Sequence, residues 1–354
     1  MEKQTVKKQK VFLSLEQLYL SIFAIILSLL ITALIMLVSG GENPINAFQA
    51  LLAGALGSKT AIATTLGKTV PLLFVGMACA FSNKAGLFNI GCEGQLYIGA
   101  LTATATALAM QGGLPRFLVI LVSFLTGMMS GALVGGFNGL LKAKLNINEV
   151  LVAIMLNYIM KFFASYCVHG PMKDPKSKVM QSPSIGQEYM LTKILPKSQL
   201  TTALILGLIL AALLYVFINK TGAGFALRAV GENGSAAQAA GISMVKTVII
   251  TMAASGAIAA LTGVTEVFGK TGKFVDGFSP GYGFTGIAVA VLGNNHPVGV
   301  ILSALLFGIL ESGAMTMSYV AGVSTSMIKV MQGLVILFVA TPELVAFMKR
   351  RRAK

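Results

Sequence analysis

Ionisable side chains are scarce in this sequence, tryptophan is absent, and histidine and cysteine are too few to build a site. Only 11% of the 354 residues are Asp, Glu, Lys or Arg, against roughly a quarter in an ordinary soluble domain. A surface facing water on all sides cannot be assembled from so few charges. The three cysteines, Cys79, Cys92 and Cys167, are odd in number and far apart, within or beside apolar runs. That pattern argues against a disulfide framework. His169 and His296 are the two histidines, and with those cysteines they do not amount to a metal cluster. Twelve acids and two histidines also offer no paired carboxylates and no nucleophile with a base. A membrane-embedded enzyme is therefore disfavoured.

What is present is apolar sequence. Hydrophobic residues make up 55% of the chain and the mean hydropathy is +0.81. Runs of roughly 20 apolar residues, long enough to cross about 30 Å of hydrocarbon, recur along nearly the whole length. Spans are expected at about 18–38, 61–81, 88–110, 116–141, 150–168, 200–218, 247–268, 282–293, 298–315 and 327–347, with an interfacial helix at 45–56. The expected fold is all-α, a polytopic membrane bundle of about ten transmembrane helices. The first apolar run has no small-residue cleavage pattern after it and reads as a retained span.

The net charge of +15 comes from short basic clusters beside the apolar runs, which is a topology signal and not a nucleic-acid surface. Lys3, Lys7, Lys8 and Lys10 precede the first span, and Lys349, Arg350, Arg351, Arg352 and Lys354 follow the last. Ten spans put both termini on one side, expected to be the cytoplasm. The chain then divides into a basic cytoplasmic N-terminus at 1–17, a transmembrane domain at 18–348 and a basic tail at 349–354. A polar external loop is expected at 169–199 and a cytoplasmic segment at 219–246.

Small residues recur every fourth position in two spans: Gly127, Gly131, Gly135 and Gly139, then Ala304, Gly308 and Ser312. Such stripes let helix backbones approach closely in lipid. Asn138 and Glu311 stand just before the last member of each stripe, and the two spans run in opposite directions. This predicts an inverted duplication, an arrangement that places a pathway at the repeat interface. Two nucleotide-binding patterns fail on context. Gly281-Tyr-Gly-Phe-Thr-Gly286 opens an apolar span instead of following a strand, so its glycines predict a broken helix. Gly263 to Thr271 has the wrong spacing for a phosphate loop and ends a span. The chain has no visible means of binding ATP.

Two segments stand out as functional. Between Ser82 and Ala100, the residues Asn89, Glu93 and Gln95 sit among Gly86, Gly91, Gly94 and Gly99 at the start of an apolar run. Irregular backbone at membrane depth is tolerated only beside protein or a water-filled cavity, and an ionisable residue there marks function more often than not. Asn138, Glu149, Asn157 and Glu311 are further polar groups in or near spans, able either to line a path or to join helices. The second segment, 219–246, predicts a short helix carrying Arg228 and ended by Gly231. Asn233 or Ser235 then caps another short helix at Ala236, ended by Gly241. Such a helix pair suits docking into a soluble partner.

Four stretches carry a resemblance. Phe88-Asn-Ile-Gly-Cys-Glu-Gly-Gln-Leu-Tyr-Ile-Gly-Ala100, Asn148-Glu-Val-Leu-Val-Ala-Ile-Met-Leu-Asn-Tyr-Ile159, the run from Leu227 to Ile242, and the run from Gly286 to Gly299 resemble permease subunits of the ribose and branched-chain amino acid ABC importer superfamily. The match is nearest to nucleoside and simple-sugar permeases that work with basic membrane lipoproteins. Cys92 departs from the small or aliphatic residue usual at its position.

The resemblance implies a type II importer fold in a bacterial cell membrane and a second, related permease subunit. It also implies an extracytoplasmic lipoprotein delivering substrate, and a cytoplasmic ATPase that holds the ATP, with no cofactor in this chain. On that reading Asn89, Glu93, Gln95, Asn138, Asn157 and Glu311 line the substrate path. Arg228, Glu232, Asn233, Ala236, Gln238 and Gly241 couple to the ATPase. Nucleosides are the expected cargo because amides and hydroxyls can replace the hydration of a neutral, hydroxyl-rich solute. Simple sugars such as ribose or galactose are the alternative, and a stand-alone ion-coupled carrier using Glu93 or Glu311 is a further one.

Overall fold

The computed structural model describes residues 23, 26–38, 43–196, 198–324, 326–327, 329–335 and 337–338. The expected cytoplasmic N-terminus, the start of the first span, most of the end of the tenth and the basic tail lie outside the described residues. Among the described residues the structure is helical: α1 (Ile26–Val38), α2 (Pro44–Leu56), α3 (Lys59–Asn83), α4 (Cys92–Met110), α5 (Arg116–Leu145) and α6 (Glu149–His169). After a long irregular segment come α7 (Ala203–Lys220), α8 (Gly222–Glu232), α9 (Gly234–Ala239), α10 (Met244–Glu266), α11 (Tyr282–Leu292) and α12 (Pro297–Ala321). Helical backbone resumes at 329–335. Six helices (α3, α5, α6, α7, α10 with its π extension, and α12) are long and apolar enough to cross a bilayer, while α1, α2 and α11 are shorter apolar helices.

Two compact units divide the chain. One comprises residues 1–62 with 309–354, the other 63–308. In the first, Asn43 caps α2 by accepting from the Ile45 amide at 3.0 Å, and Pro44 occupies the first helical position, where its missing N–H costs nothing. The buried face of α2 meets the second half of α12, with Gly54 against Thr316 and Gly313 against Leu51.

The second unit holds every helix from most of α3 to the first half of α12. Its centre is α10, packed antiparallel against α5 and parallel to α4. The glycine stripe of α5 serves the expected purpose. Gly131 lies against Gly256, Gly135 against Met252 and Gly127 against Val264 and the Gly99 carbonyl, so the helices touch backbone to backbone. Gly308 of α12 is seated instead on Thr65 and Thr69 of α3.

Four elements meet at one end of this unit: the turn after α3, the α5–α6 turn, α8–α9 and the α11–α12 turn. Gly86 and Gly231 are in close contact, Lys142 pairs with Glu149 at 2.9 Å, and the side-chain amides of Asn83 and Asn295 meet at 2.8 Å. The opposite end is built from the polar segment 170–202. There Tyr189 accepts from the Gly112 amide at 3.0 Å, Arg116 donates to the Met190 carbonyl at 2.9 Å, and Ser182 pairs with Phe274 through backbone and side chain.

Candidate functional site: two helices that begin inside the bundle

Two helices of the second unit do not start at either end. The chain leaves α3 at Asn83 and turns back upward as extended backbone through 87–89. It becomes helical only at Cys92, four residues later than the apolar run predicts. Asn89 lies level with Ser255, whose hydroxyl takes its Nδ2 hydrogen at 2.8 Å. Ser255 is eleven residues into α10, which is about 16 Å above its start. From the opposite end, α10 closes in a π-helical turn at Val267–Thr271, with Lys270 paired to Glu266. Residues 272–281 then descend as irregular backbone, and α11 begins at Tyr282. Val75 of α3 packs on Gly286, eight residues above Asn83, or about 12 Å inside the bundle.

The glycines that mimic a dinucleotide motif now have their explanation. Gly281 has φ +102°, a conformation closed to most L-residues, and turns the descending segment into α11. Gly283 sits so close to α4 that a Cβ would collide with the Glu93 backbone.

The two N-termini meet at Glu93. Its carboxylate accepts from the Gly283 amide at 2.6 Å, and the Ser279 hydroxyl also reaches it. Ser279 Oγ in turn accepts from the amides of Gly281 and Tyr282 at 3.2 and 3.1 Å. Helix N-termini carry unpaired N–H groups and a partial positive charge. The Glu93 carboxylate, 7% exposed, satisfies the Gly283 amide of α11 and places its negative charge in the first turn of α4. One turn further along α4, Tyr97 packs on Phe278 (ring centroids 4.9 Å) and Phe274 (6.3 Å), closing this level with aromatic surface.

Asn89 and Gln95 form a reciprocal amide pair, Asn89 Nδ2 donating to Oε1 at 2.9 Å and Gln95 Nε2 to Oδ1 at 3.2 Å. Ser255 extends the network to the Ala78 carbonyl at 2.7 Å, so one chain of hydrogen bonds ties α3, α4 and α10. Asn157 of α6 accepts from the Gly94 amide at 2.7 Å and donates to the Ile90 carbonyl at 2.9 Å, serving two backbone groups of the α4 start. Cys92 and Cys79 are free thiols with Sγ atoms 3.5 Å apart.

Asn89, Glu93, Gln95 and Asn157 therefore come together. Asn138 does not join them. It donates to the Glu149 carbonyl at 3.2 Å near the α5–α6 turn, and its Oδ1 is buried without a partner. Glu311 falls in the other compact unit.

The segment 219–246 forms the expected pair of short helices. Thr221 caps α8 through the Gly224 amide (3.0 Å) and Asn233 caps α9 through the Ala236 amide (3.0 Å). Gly231 does not end the first helix: it continues to Glu232, because Gly231 packs against Lys84 and Ala85 and terminates nothing. Gly241 has φ +84° and follows α9, as expected. Arg228, Glu232, Asn233 and Ala236 line one open groove of about 350 Å³ with Phe225. Gln238 is exposed beside it.

Lys161, Ser165, Asp276 and Ser279 were missed by sequence reasoning. The signal for the first two was available, since Asn157, Lys161, Ser165 and His169 recur every fourth residue along one face of an otherwise apolar helix. Asp276 and Ser279 gave none, because nothing local tells that their segment dips into the bundle.

One helix of 19 residues and one of 11 thus begin inside a helical membrane bundle, an arrangement found where membrane proteins build pathways. The comparisons agree. The family model for the branched-chain amino acid transport system / permease component matches residues 61–340, and the chain belongs to that family: it is a multi-pass membrane permease subunit and not an enzyme. It is 37% identical to the guanosine ABC transporter permease protein NupP of Bacillus subtilis over 96% of this chain and 98% of that protein. It is 35% identical to the nucleoside ABC transporter permease protein NupB of Lactococcus lactis over 92% of each. It is 33% identical to the glucose ABC transporter permease protein TsgB13 of Haloferax volcanii over 89% of this chain and 84% of that one. A solved inward-facing metal-chelate type ABC transporter overlaps 93% of this chain and 98% of its own at 16% identity, with a TM-score of 0.44.

Proposed function

We propose that this chain forms the translocation path of an ATP-driven importer of nucleosides in the cell membrane, with ATP held by a separate ATPase subunit. The observation that carries the reading is near full-length similarity, at 37% and 35% identity, to permeases named for guanosine and for nucleosides. The cargo passes at the level where α4 and α11 begin. Glu93 and Asn157 face that level, and Asn89 and Gln95 stand behind it and hold the re-entrant backbone. Neutral solutes suit such a site, because amides, hydroxyls and aromatic rings replace their hydration without neutralising a charge. Asn138, near the α5–α6 turn, belongs to the path only if the bundle rearranges during transport.

On this reading α8 and α9 face the cytoplasm, both termini lie on that side, and the groove at Arg228, Glu232, Asn233 and Ala236 receives the ATPase, with Gln238 and Gly241 at its edge. A second related permease completes the pore and a lipid-anchored receptor delivers the solute outside. No cofactor is needed in this chain. The 33% identity to a glucose permease favours a simple-sugar cargo as the second reading.

The test is reconstitution with an ATPase and a receptor that co-purify with it, measuring uptake of labelled guanosine, ribose and glucose. Guanosine uptake that requires ATP and receptor is the expected result. Uptake of sugars alone moves the cargo to the second reading, and uptake without ATP overturns the importer. Arg228→Glu should abolish ATP-driven uptake while the bundle stays assembled.

A further inference from the structure

The polar face of α6 poses a problem that lipid cannot solve. Lys161 lies twelve residues from Glu149 and eight from His169, so roughly 18 and 12 Å from the helix ends. It is exposed, and among the described residues no carboxylate comes within ion-pair distance of it. A lysine at the middle of a span is costly in hydrocarbon and faces a bundle interior or a water-filled cavity. Its stem covers only part of the distance to either end, so snorkelling leaves the ammonium inside the apolar layer.

Its neighbours on the same face say what it borders. One turn below, Asn157 holds the start of α4. One turn above, the Ser165 hydroxyl donates to Asp276 Oδ2 at 2.9 Å, and His169 Nδ1 lies 3.8 Å from the same carboxylate. Asp276 belongs to the irregular segment that descends to Gly281. The face therefore runs alongside both re-entrant segments. Tyr158 and Phe162 flank Lys161 with their rings stacked, 6.2 Å between centroids and 21° apart, and both are more than half exposed.

We propose that this face of α6 is the wall of a water-filled passage, and that Lys161 is a solute-contacting residue one turn above the level of Glu93. An ammonium offers three donors and no acceptor, so it reads carbonyl, hydroxyl or ring-nitrogen acceptors on a neutral solute, while Tyr158 and Phe162 supply ring surface for a flat base. The assignment rests on the chain being a permease, and it adds a specificity residue to that reading.

The experiment replaces Lys161 by Cys in a Cys167→Ser background within the assembled transporter, and follows labelling by a charged, membrane-impermeant thiol reagent with and without guanosine. Leu213→Cys, on the exposed face of α7, is the lipid-side comparison. Lys161→Cys should label readily, guanosine should slow that labelling several-fold, and Leu213→Cys should stay unlabelled. In the parent background, Lys161→Met should lower guanosine uptake at least tenfold, whereas Lys161→Arg should retain most of it. Failure of Lys161→Cys to label, labelling indifferent to guanosine, equal labelling at Leu213→Cys, or full uptake by Lys161→Met each overturns the passage. When the Cys167→Ser parent still imports with ATP, those outcomes remove this inference alone. When the parent imports nothing, the permease reading falls with it.

Discussion

The Gly283 amide donates to the Glu93 carboxylate at 2.6 Å, and this single bond joins the starts of two helices that enter the bundle from opposite ends. The contact needs an acceptor on one side and a bare Cα on the other. Glu93→Gln keeps an acceptor oxygen and should leave thermal unfolding in detergent nearly unchanged. Glu93→Leu leaves the amide unpaired and should cost about 1–3 kcal/mol. Gly283→Ala drives a methyl into the α4 backbone and should cost about 1–3 kcal/mol by overpacking, with uptake lost. Gly222→Ala, where an added Cβ meets nothing within 4 Å, should be silent. Equal stability of Glu93→Gln and Glu93→Leu would show that the bond holds nothing.

Asn157 serves two backbone groups at once. Asn157→Leu matches its bulk but orphans both the Gly94 amide and the Ile90 carbonyl. The expected loss is about 2–4 kcal/mol, near the upper end for a single substitution, with faster hydrogen exchange confined to 90–95. Exchange unchanged in that stretch refutes the assignment.

The α5–α10 contact is made by backbone. Gly131→Leu places a branched side chain where an added Cβ already comes within 2.6 Å of Ala260 Cβ, and should prevent assembly of the bundle. Gly136→Ala meets Ala253 Cβ at 3.3 Å, a contact that a small shift relieves. It should fold normally. Size-exclusion profiles of the two proteins in detergent separate the cases.

His296 lies in the α11–α12 turn with its ring against Tyr215. Burial, and then the charge of Lys84, hold its pKa below the ordinary 6.5. Lys84 is itself lowered by burial and then by Arg228. Between the lowered value and 6.5 the unfolded chain binds more protons than the folded one, so stability rises with pH in that window and falls as the medium is acidified through it. Above 6.5 the effect vanishes. His296→Gln should flatten the dependence of unfolding temperature on pH in the window below 6.5, and an unchanged slope would assign it to another group.

The sequence by itself determined the solvent, the secondary structure and the punctuation. A chain this poor in charge has to meet lipid. Apolar runs of the right length have to be helices, since hydrocarbon leaves no other partner for backbone N–H and C=O groups. Asn233 could be expected to cap a helix because its side chain reaches the amide three residues on. The small-residue stripe of α5 announced a close helix contact, although not that α10 supplies it.

Tertiary structure alone decided which polar groups meet. Glu93 and Gly283 are 190 residues apart, and nothing near either one specifies the other. Asn89, Gln95 and Asn157 gather around them, whereas Asn138, equally polar and equally buried, ties α5 to α6 elsewhere. The physical reason is that local sequence fixes conformation over a turn or two, while the depth at which a segment re-enters the bundle is set by the packing of distant helices. Lys161 shows both sides. Its four-residue register with Asn157 and Ser165 is written in the chain, but only the fold places that stripe beside two re-entrant segments.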